Sequence, residues 1–101
     1  MELLTQAIRN SFPEWKSTDY MEAHEITVIV KFFTPDSNWT WYATEFDGDD
    51  TLFGLVRGLE TELGYFRLSE LAAIRGPLGL PIERDLYFGA HTLADVRRNA
   101  L

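Results

Sequence analysis

Residues 39–59 read Trp39-Thr40-Trp41-Tyr42-Ala43-Thr44-Glu45-Phe46-Asp47-Gly48-Asp49-Asp50-Thr51-Leu52-Phe53-Gly54-Leu55-Val56-Arg57-Gly58-Leu59, and the order of residue types along this run decides the fold. Asp47-Gly48-Asp49-Asp50 is turn chemistry, because glycine accepts positive φ cheaply and aspartate bonds back to its own backbone. Both flanks are dense in aromatic and β-branched residues, which suit a pleated, half-buried surface. The run therefore predicts an antiparallel hairpin, with strands from Trp39 to Phe46 and from about Thr51 to Leu59. Closing the turn at Asp47–Asp50 sets Trp41 opposite Val56; a two-residue loop would set it opposite Gly54. Either register leaves the same residues sharing a face. One face carries Trp39, Trp41, Ala43 and Glu45 beside Leu52, Gly54, Val56 and Gly58. The other carries Thr40, Tyr42, Thr44 and Phe46 beside Phe53, Leu55 and Arg57. Tryptophans opposite glycines fit, since the indole fills the space that a missing side chain leaves.

Upstream, Glu25-Ile26-Thr27-Val28-Ile29-Val30-Lys31-Phe32-Phe33 is a further strand, closed by turn chemistry at Thr34-Pro35-Asp36-Ser37-Asn38. Leu3, Leu4, Ala7, Ile8 and Phe12 form an apolar stripe at helical spacing, ended by Ser11 and Pro13. Residues 14–24 show no clean period and read as an irregular connection anchored by Trp15, Tyr20 and Met21. Downstream, a shorter strand covers Tyr65 to Leu68. Ser69 caps a short helix over 70–75, which Gly76-Pro77 stops. Leu86-Tyr87-Phe88 reads as a last short strand. Thr92 caps a terminal helix with Asp95 at its third position. The expectation is one α+β domain over residues 1–101: an antiparallel meander of three or four strands packed by an N-terminal helix and short C-terminal helices.

Charge narrows the function classes. The chain carries sixteen acids and nine bases, a net charge of −7. Residues 1–50 hold ten acids and three bases, whereas residues 51–101 hold six of each, so the whole excess lies in the first half. Nucleic-acid binding needs clustered Lys and Arg to displace counterions, and anionic membranes make the same demand; neither partner is expected. With no cysteine, disulfides, thiol chemistry and Cys-based zinc sites are excluded. The N-terminal Met1-Glu2-Leu3-Leu4-Thr5-Gln6 lacks the basic and apolar segments of a signal peptide. No apolar run approaches the roughly 20 residues of a membrane helix. A cytoplasmic location is expected.

Asp36, Glu45, Asp47, Asp49 and Asp50 gather around the two turns that flank the Trp39–Phe46 strand. Oxygen-rich loops hold Mg²⁺ or Ca²⁺ in some proteins, but this spacing matches no EF-hand loop, and Asp-Gly-Asp-Asp is first a turn. The pairs Glu60/Glu62 and Glu83/Asp85 are of a kind that any acidic domain offers. Glu83-Arg84-Asp85 reads as a local ion pair. His24 and His91 fall in connections without metal-ligand spacing and read as surface or capping residues. No nucleophile elbow, phosphate-cradling loop or dinucleotide fingerprint is present. No catalytic residue, metal ligand or cofactor is assigned.

The long run from Lys31-Phe32-Phe33-Thr34-Pro35-Asp36 through Glu45-Phe46-Asp47-Gly48 resembles an uncharacterised family of small acidic bacterial proteins, often carried by plasmids, integrative elements and phages. The resemblance continues through Phe53-Gly54-Leu55-Val56, Leu63-Gly64-Tyr65-Phe66, Leu68-Ser69-Glu70-Leu71 and Gly79-Leu80-Pro81-Ile82-Glu83-Arg84-Asp85, nearly the whole chain. It brings no residue-level activity. It implies a mobile-element context, with a role in host defence or element maintenance.

Both faces of the hairpin carry large apolar groups, whereas a two-layer domain needs only one. Either further elements cover the second face, or Trp39, Trp41 and Tyr42 meet a partner. The leading expectation is a non-catalytic interaction protein that engages a protein partner with a basic cleft, in the manner of a DNA mimic. Its surface would comprise Asp36, Trp39, Trp41, Tyr42, Glu45, Asp47, Asp49 and Asp50. The alternatives are a divalent-metal hydrolase using Asp36, Glu45 and Asp47, and a homodimer closed by strand or sheet-face pairing.

Overall fold

A computed structural model describes residues 1–99 and 101 of the chain. In chain order its elements are α1 (Gln6–Ser11), a 3-10 turn over Ala23–Glu25, β1 (Thr27–Val28), β2 (Val30–Phe33), β3 (Thr40–Phe46), β4 (Thr51–Arg57), β5 (Thr61–Arg67), α2 (Leu68–Ala73), β6 (Glu83–Arg84), β7 (His91–Thr92) and α3 (Leu93–Arg98). Five strands form one antiparallel sheet in the order β5-β4-β3-β2-β6, and β1 pairs with β7 in a separate two-stranded ribbon. The class is α+β with antiparallel strands, as the hairpin run predicts, and the sheet is wider than three or four strands.

Of the two registers the turn allows, the hairpin takes over its first half the one set by closure at Asp47–Asp50. Thr40 pairs with Arg57, Trp41 with Val56, Tyr42 with Leu55 and Ala43 with Gly54. Then the ladder slips by one residue at Thr44, so that Glu45 opposes Phe53 and Phe46 opposes Leu52. A β-bulge of this kind sets two residues of one strand against one of the other and reverses the facing of everything beyond it. Strict alternation from Trp39 would have put Glu45 among the tryptophans and Phe46 on the opposite face. The bulge exchanges them, and Phe46 joins the apolar layer that holds Trp41, Ala43 and Leu52.

Both sheet faces are covered, which is why six successive residues of β3, from Trp41 to Phe46, are buried. One face packs Val30, Phe32, Trp41, Phe46, Leu52 and Phe66 beneath Leu4, Leu71 and Ile82, with Ile8 and Phe12 of the N-terminal segment against them. The opposite face packs Tyr42 and Leu55 beneath Ile26, Val28, Leu93 and Val96. The covering answers the question left by two apolar faces: the N-terminal helix and α2 lie on one, the 3-10 turn and α3 on the other.

Several local expectations shift. The 14–24 connection is irregular as expected, but Tyr20 is 99% exposed and Met21 41%. The buried residue of the segment is instead Thr18. α2 starts two residues early, at Leu68, and Ser69 lies inside it rather than at its cap. β5 begins at Thr61, four residues before the predicted strand. No strand forms over residues 86–88; the pairing falls on either side, where Glu83 and Arg84 dock on β2 and His91 and Thr92 on β1. The α3 cap is as predicted, since the Thr92 hydroxyl accepts from Asp95 N–H at 3.1 Å and the Asp95 carboxylate accepts from Thr92 N–H at 2.8 Å.

Candidate functional site

The eight residues of the expected interaction surface fall into three places. Asp36 and Trp39 belong to the turn that precedes β3, while Asp47, Asp49 and Asp50 belong to the turn that follows it. A seven-residue strand rises about 3.3 Å per residue, so β3 holds the two turns roughly 20 Å apart. Trp41, Tyr42 and Glu45 lie between them and are buried.

Four of the five carboxylates are taken up by backbone hydrogen bonds. Asp36 reaches across to the segment after α2, where Oδ2 accepts from Leu78 N–H at 2.7 Å. Its Oδ1 is buried without a hydrogen-bond partner and lies where a Cβ on Gly76 would fall, so a larger residue at 76 would displace the Asp36 carboxylate. Asp47 Oδ1 accepts from the N–H groups of Asp49, Asp50 and Thr51 at 2.8, 3.0 and 3.1 Å. These bonds, that from Asp49 above all, hold the Asp47 carboxyl below its ordinary pKa because they favour the anion. Asp50 accepts from Ser69 through both oxygens, Oδ2 from the hydroxyl at 2.6 Å and Oδ1 from the amide at 2.8 Å. The hydroxyl bond is the main cause of its lowered pKa. Asp50 thereby satisfies one of the unpaired N–H donors at the start of α2, a role that Ser69 was expected to fill.

Glu45 is 3% exposed. Facing away from the tryptophans, its carboxylate accepts from Lys16 N–H, from the Thr18 hydroxyl, and from Thr18 N–H at 3.3 Å. Lys16 adopts the left-handed backbone region, φ 69°, and its amide points at the carboxylate. A buried anion is costly unless several donors satisfy it, and here the donors come from the otherwise irregular connection. Glu45 pins that connection to the sheet. Among the described residues no Lys, Arg or His side-chain nitrogen lies within ion-pair distance of it.

Trp39 and Trp41 stack with ring centroids 5.9 Å apart. Trp41 is 6% exposed and in the core, whereas Trp39 is half-buried. A Cβ on Gly58 would collide with the Trp39 ring, so this indole occupies the space above a glycine as the hairpin reading requires. Beside the pair lies an open cleft of about 260 Å³ between the 34–39 turn and the end of α2, also lined by Ile74, Arg75, Gly76 and Pro77. A wider, more polar cleft of about 490 Å³ separates α1 from the Asp47–Gly48 turn, with Arg9, Glu14 and Trp15 on its walls. Tyr42 is buried against Phe88, centroids 5.9 Å apart, and burial pushes its phenol pKa up.

Among the described residues no three His, Asp or Glu side chains are grouped so as to hold a metal ion. Asp36 and Asp47 stand at opposite ends of β3, and Glu45 is turned inward between them. The Glu83-Arg84-Asp85 triplet is not a closed ion pair: Arg84 donates to the carbonyls of Glu2 and Leu3 at 2.5 and 3.2 Å, and Asp85 pairs with Lys31 at 3.5 Å. Arg84 thus ties the N-terminal segment to the sheet edge, a role without a signature in the local sequence. His24 is exposed in the 3-10 turn, and the His91 ring packs on Phe88 at 4.7 Å.

A family model described as a protein of unknown function (DUF2958) matches residues 3–99. The chain belongs to this family. No curated protein and no solved structure matches it. Among the described residues of this DUF2958 protein, no helix is long and apolar enough to cross a membrane.

Proposed function

We propose that this DUF2958 protein is a non-catalytic, acidic interaction protein that binds a protein partner bearing basic surface. The observation that carries the reading is the stacked Trp39–Trp41 pair forming one wall of an open cleft of about 260 Å³. That volume suits one large side chain of a partner. A half-buried tryptophan beside such a recess, here Trp39 stacked on the core Trp41, is the kind of residue on which binding energy concentrates. The net charge of −7 supplies long-range steering toward a basic target. Asp47 and Asp50, fixed by hydrogen bonds and held as anions, supply oriented negative charge at the far end of β3. In this reading the protein is a cytoplasmic accessory of a mobile genetic element, and its partner is a nucleic-acid-handling or defence protein whose basic cleft it fills.

The test is affinity capture from host lysate over a salt series, comparing wild type with Trp39→Ala and with the triple change Asp47→Asn, Asp49→Asn, Asp50→Asn. Wild type should retain a specific basic protein at low salt and release it as salt rises. Trp39→Ala should lose that protein while staying folded, and the triple variant should lose the salt dependence. Trp41→Ala is the folding control, expected to cost about 3–5 kcal/mol as a core truncation. Capture that is insensitive both to salt and to Trp39→Ala would overturn the reading.

A further inference from the structure

The two edges of the sheet differ in kind. At the β6 edge the strand is two residues long, and it runs straight into the Arg84 and Asp85 contacts. At the other edge, β5 spans seven residues, Thr61–Arg67, paired only with β4. Natural edge strands are protected by shortness, charged side chains (lysine above all), proline or a covering element; β5 contains neither lysine nor proline and is as long as β3 and β4. Although Lys16 and Trp15 reach the Tyr65 side chain, no strand pairs with its outer backbone groups among the described residues.

The phase of its hydrogen bonds is set by the contacts that bracket it. Gly58 N–H donates to Glu60 C=O at one end, and Leu68 N–H donates to Asp50 C=O at the other. Because hydrogen-bonded and non-hydrogen-bonded pairs alternate along an antiparallel ladder, Glu62, Gly64 and Phe66 bond inward to β4. Thr61, Leu63, Tyr65 and Arg67 then point their N–H and C=O groups away from the sheet. Leu63 and Tyr65 also share a side-chain face and are 41% and 59% exposed.

The geometry points to a second copy of this chain as the occupant of that edge, β5 pairing antiparallel with β5 about a two-fold axis at Gly64. That register alone uses the whole strand, and it opposes Leu63 to the partner copy's Tyr65 and Thr61 to its Arg67. All four residues with outward backbone groups then fall in hydrogen-bonded pairs. Leu63 and Tyr65 meet each other across the axis, which extends the rows Leu55–Leu63 and Phe53–Tyr65 into the second sheet, while Phe66, on the opposite face of the strand, stands across from the partner copy's Glu62. The axis falls on a non-hydrogen-bonded pair, where strands approach most closely; its residue is glycine, with nothing within 4 Å of a Cβ built there. Charge agrees as well, since Glu62 and Arg67 cancel within the strand and make β5 a neutral strip on a chain of net charge −7. The product is one ten-stranded sheet across an isologous dimer. This inference is independent of the partner reading above.

Sedimentation equilibrium over a concentration series tests it, together with amide exchange by NMR. Wild type should approach twice the 11.6 kDa chain mass, with the Leu63 and Tyr65 amides protected at high concentration and released on dilution. Leu63→Pro removes only an outward N–H, which a strand edge tolerates, and Tyr65→Lys places a guarding charge on the same edge. Both variants should sediment as monomers with unchanged circular dichroism, and Tyr65→Lys alone decides the matter if Leu63→Pro fails to fold. A wild-type mass of 11.6 kDa at every concentration, or a dimer that survives Tyr65→Lys, would overturn the proposal.

Discussion

Glu45 shows how far one side chain departs from its apparent role. By sequence it is one of five acids around two turns; in the fold it is a buried anion with three donors from Lys16 and Thr18. Removing it strands those donors, and hydrogen bonds to charged groups are each worth about 1.5–3 kcal/mol. Glu45→Ala should therefore lower unfolding free energy in urea by about 3 kcal/mol or more, with new proteolytic cleavage within residues 14–21. A loss below about 0.5 kcal/mol, inside the range of an ordinary surface substitution, would show that the carboxylate does not hold the connection. Gly54 is the second decisive position. A Cβ there would fall on the carbonyl oxygen of Tyr42, a backbone atom that cannot swing aside. Gly54→Ala should cost about 1–3 kcal/mol, the usual range for overpacking, read as a drop in the denaturation midpoint. An unchanged midpoint would mean that β3 and β4 can separate there without penalty.

At the level of elements, the parts legible in sequence are those governed by local chemistry. The Asp47–Asp50 turn, the early hairpin register and the Thr92/Asp95 box depend on neighbours a few residues away, and all appear where expected. Thr92→Ala should accordingly shorten or fray α3 and cost about 0.5–2 kcal/mol, visible as faster amide exchange over residues 93–96; exchange no faster than wild type would deny the cap its role. The bulge at Thr44 departs from the alternation expected of the strand, although a signal for it is present: strict alternation puts a glutamate among tryptophans and a phenylalanine on the wrong face. The first half of β5 leaves little trace in the sequence because an exposed edge strand buries little, and Thr61-Glu62-Leu63 carries no hydrophobic period. The two-residue strands β6 and β7 are set by what they dock against rather than by their own composition. The same reasoning explains the candidate site. Sequence proximity gathered the five acids, whereas the extended β3 between the two turns separates them.

For the whole molecule, the titratable groups define two pH limits. Asp47, Asp50 and Asp95 have lowered pKa values, Asp95 chiefly through the Thr92 N–H. Lowered folded values mean that their contribution is present above the unfolded carboxylate pKa of about 3.9 and is lost as the pH falls below it. Tyr42 is raised by burial, so its contribution is intact below the unfolded phenol pKa of about 10 and is lost as the pH rises past it. Urea midpoints measured across pH should fall on both sides of a neutral plateau, and Tyr42→Phe should soften the alkaline fall. An alkaline limb identical in that variant would assign the loss to other groups. The ribbon in which Thr27 meets Thr92 and Val28 meets His91 has a kinetic meaning. The hairpins of the central sheet close over a few residues each, but this ribbon joins segments from opposite ends of the chain, and closing so long a loop slows contact formation. The central hairpins should form first and α3 with its ribbon last, so that in the native ensemble this C-terminal unit opens by itself, ahead of global unfolding.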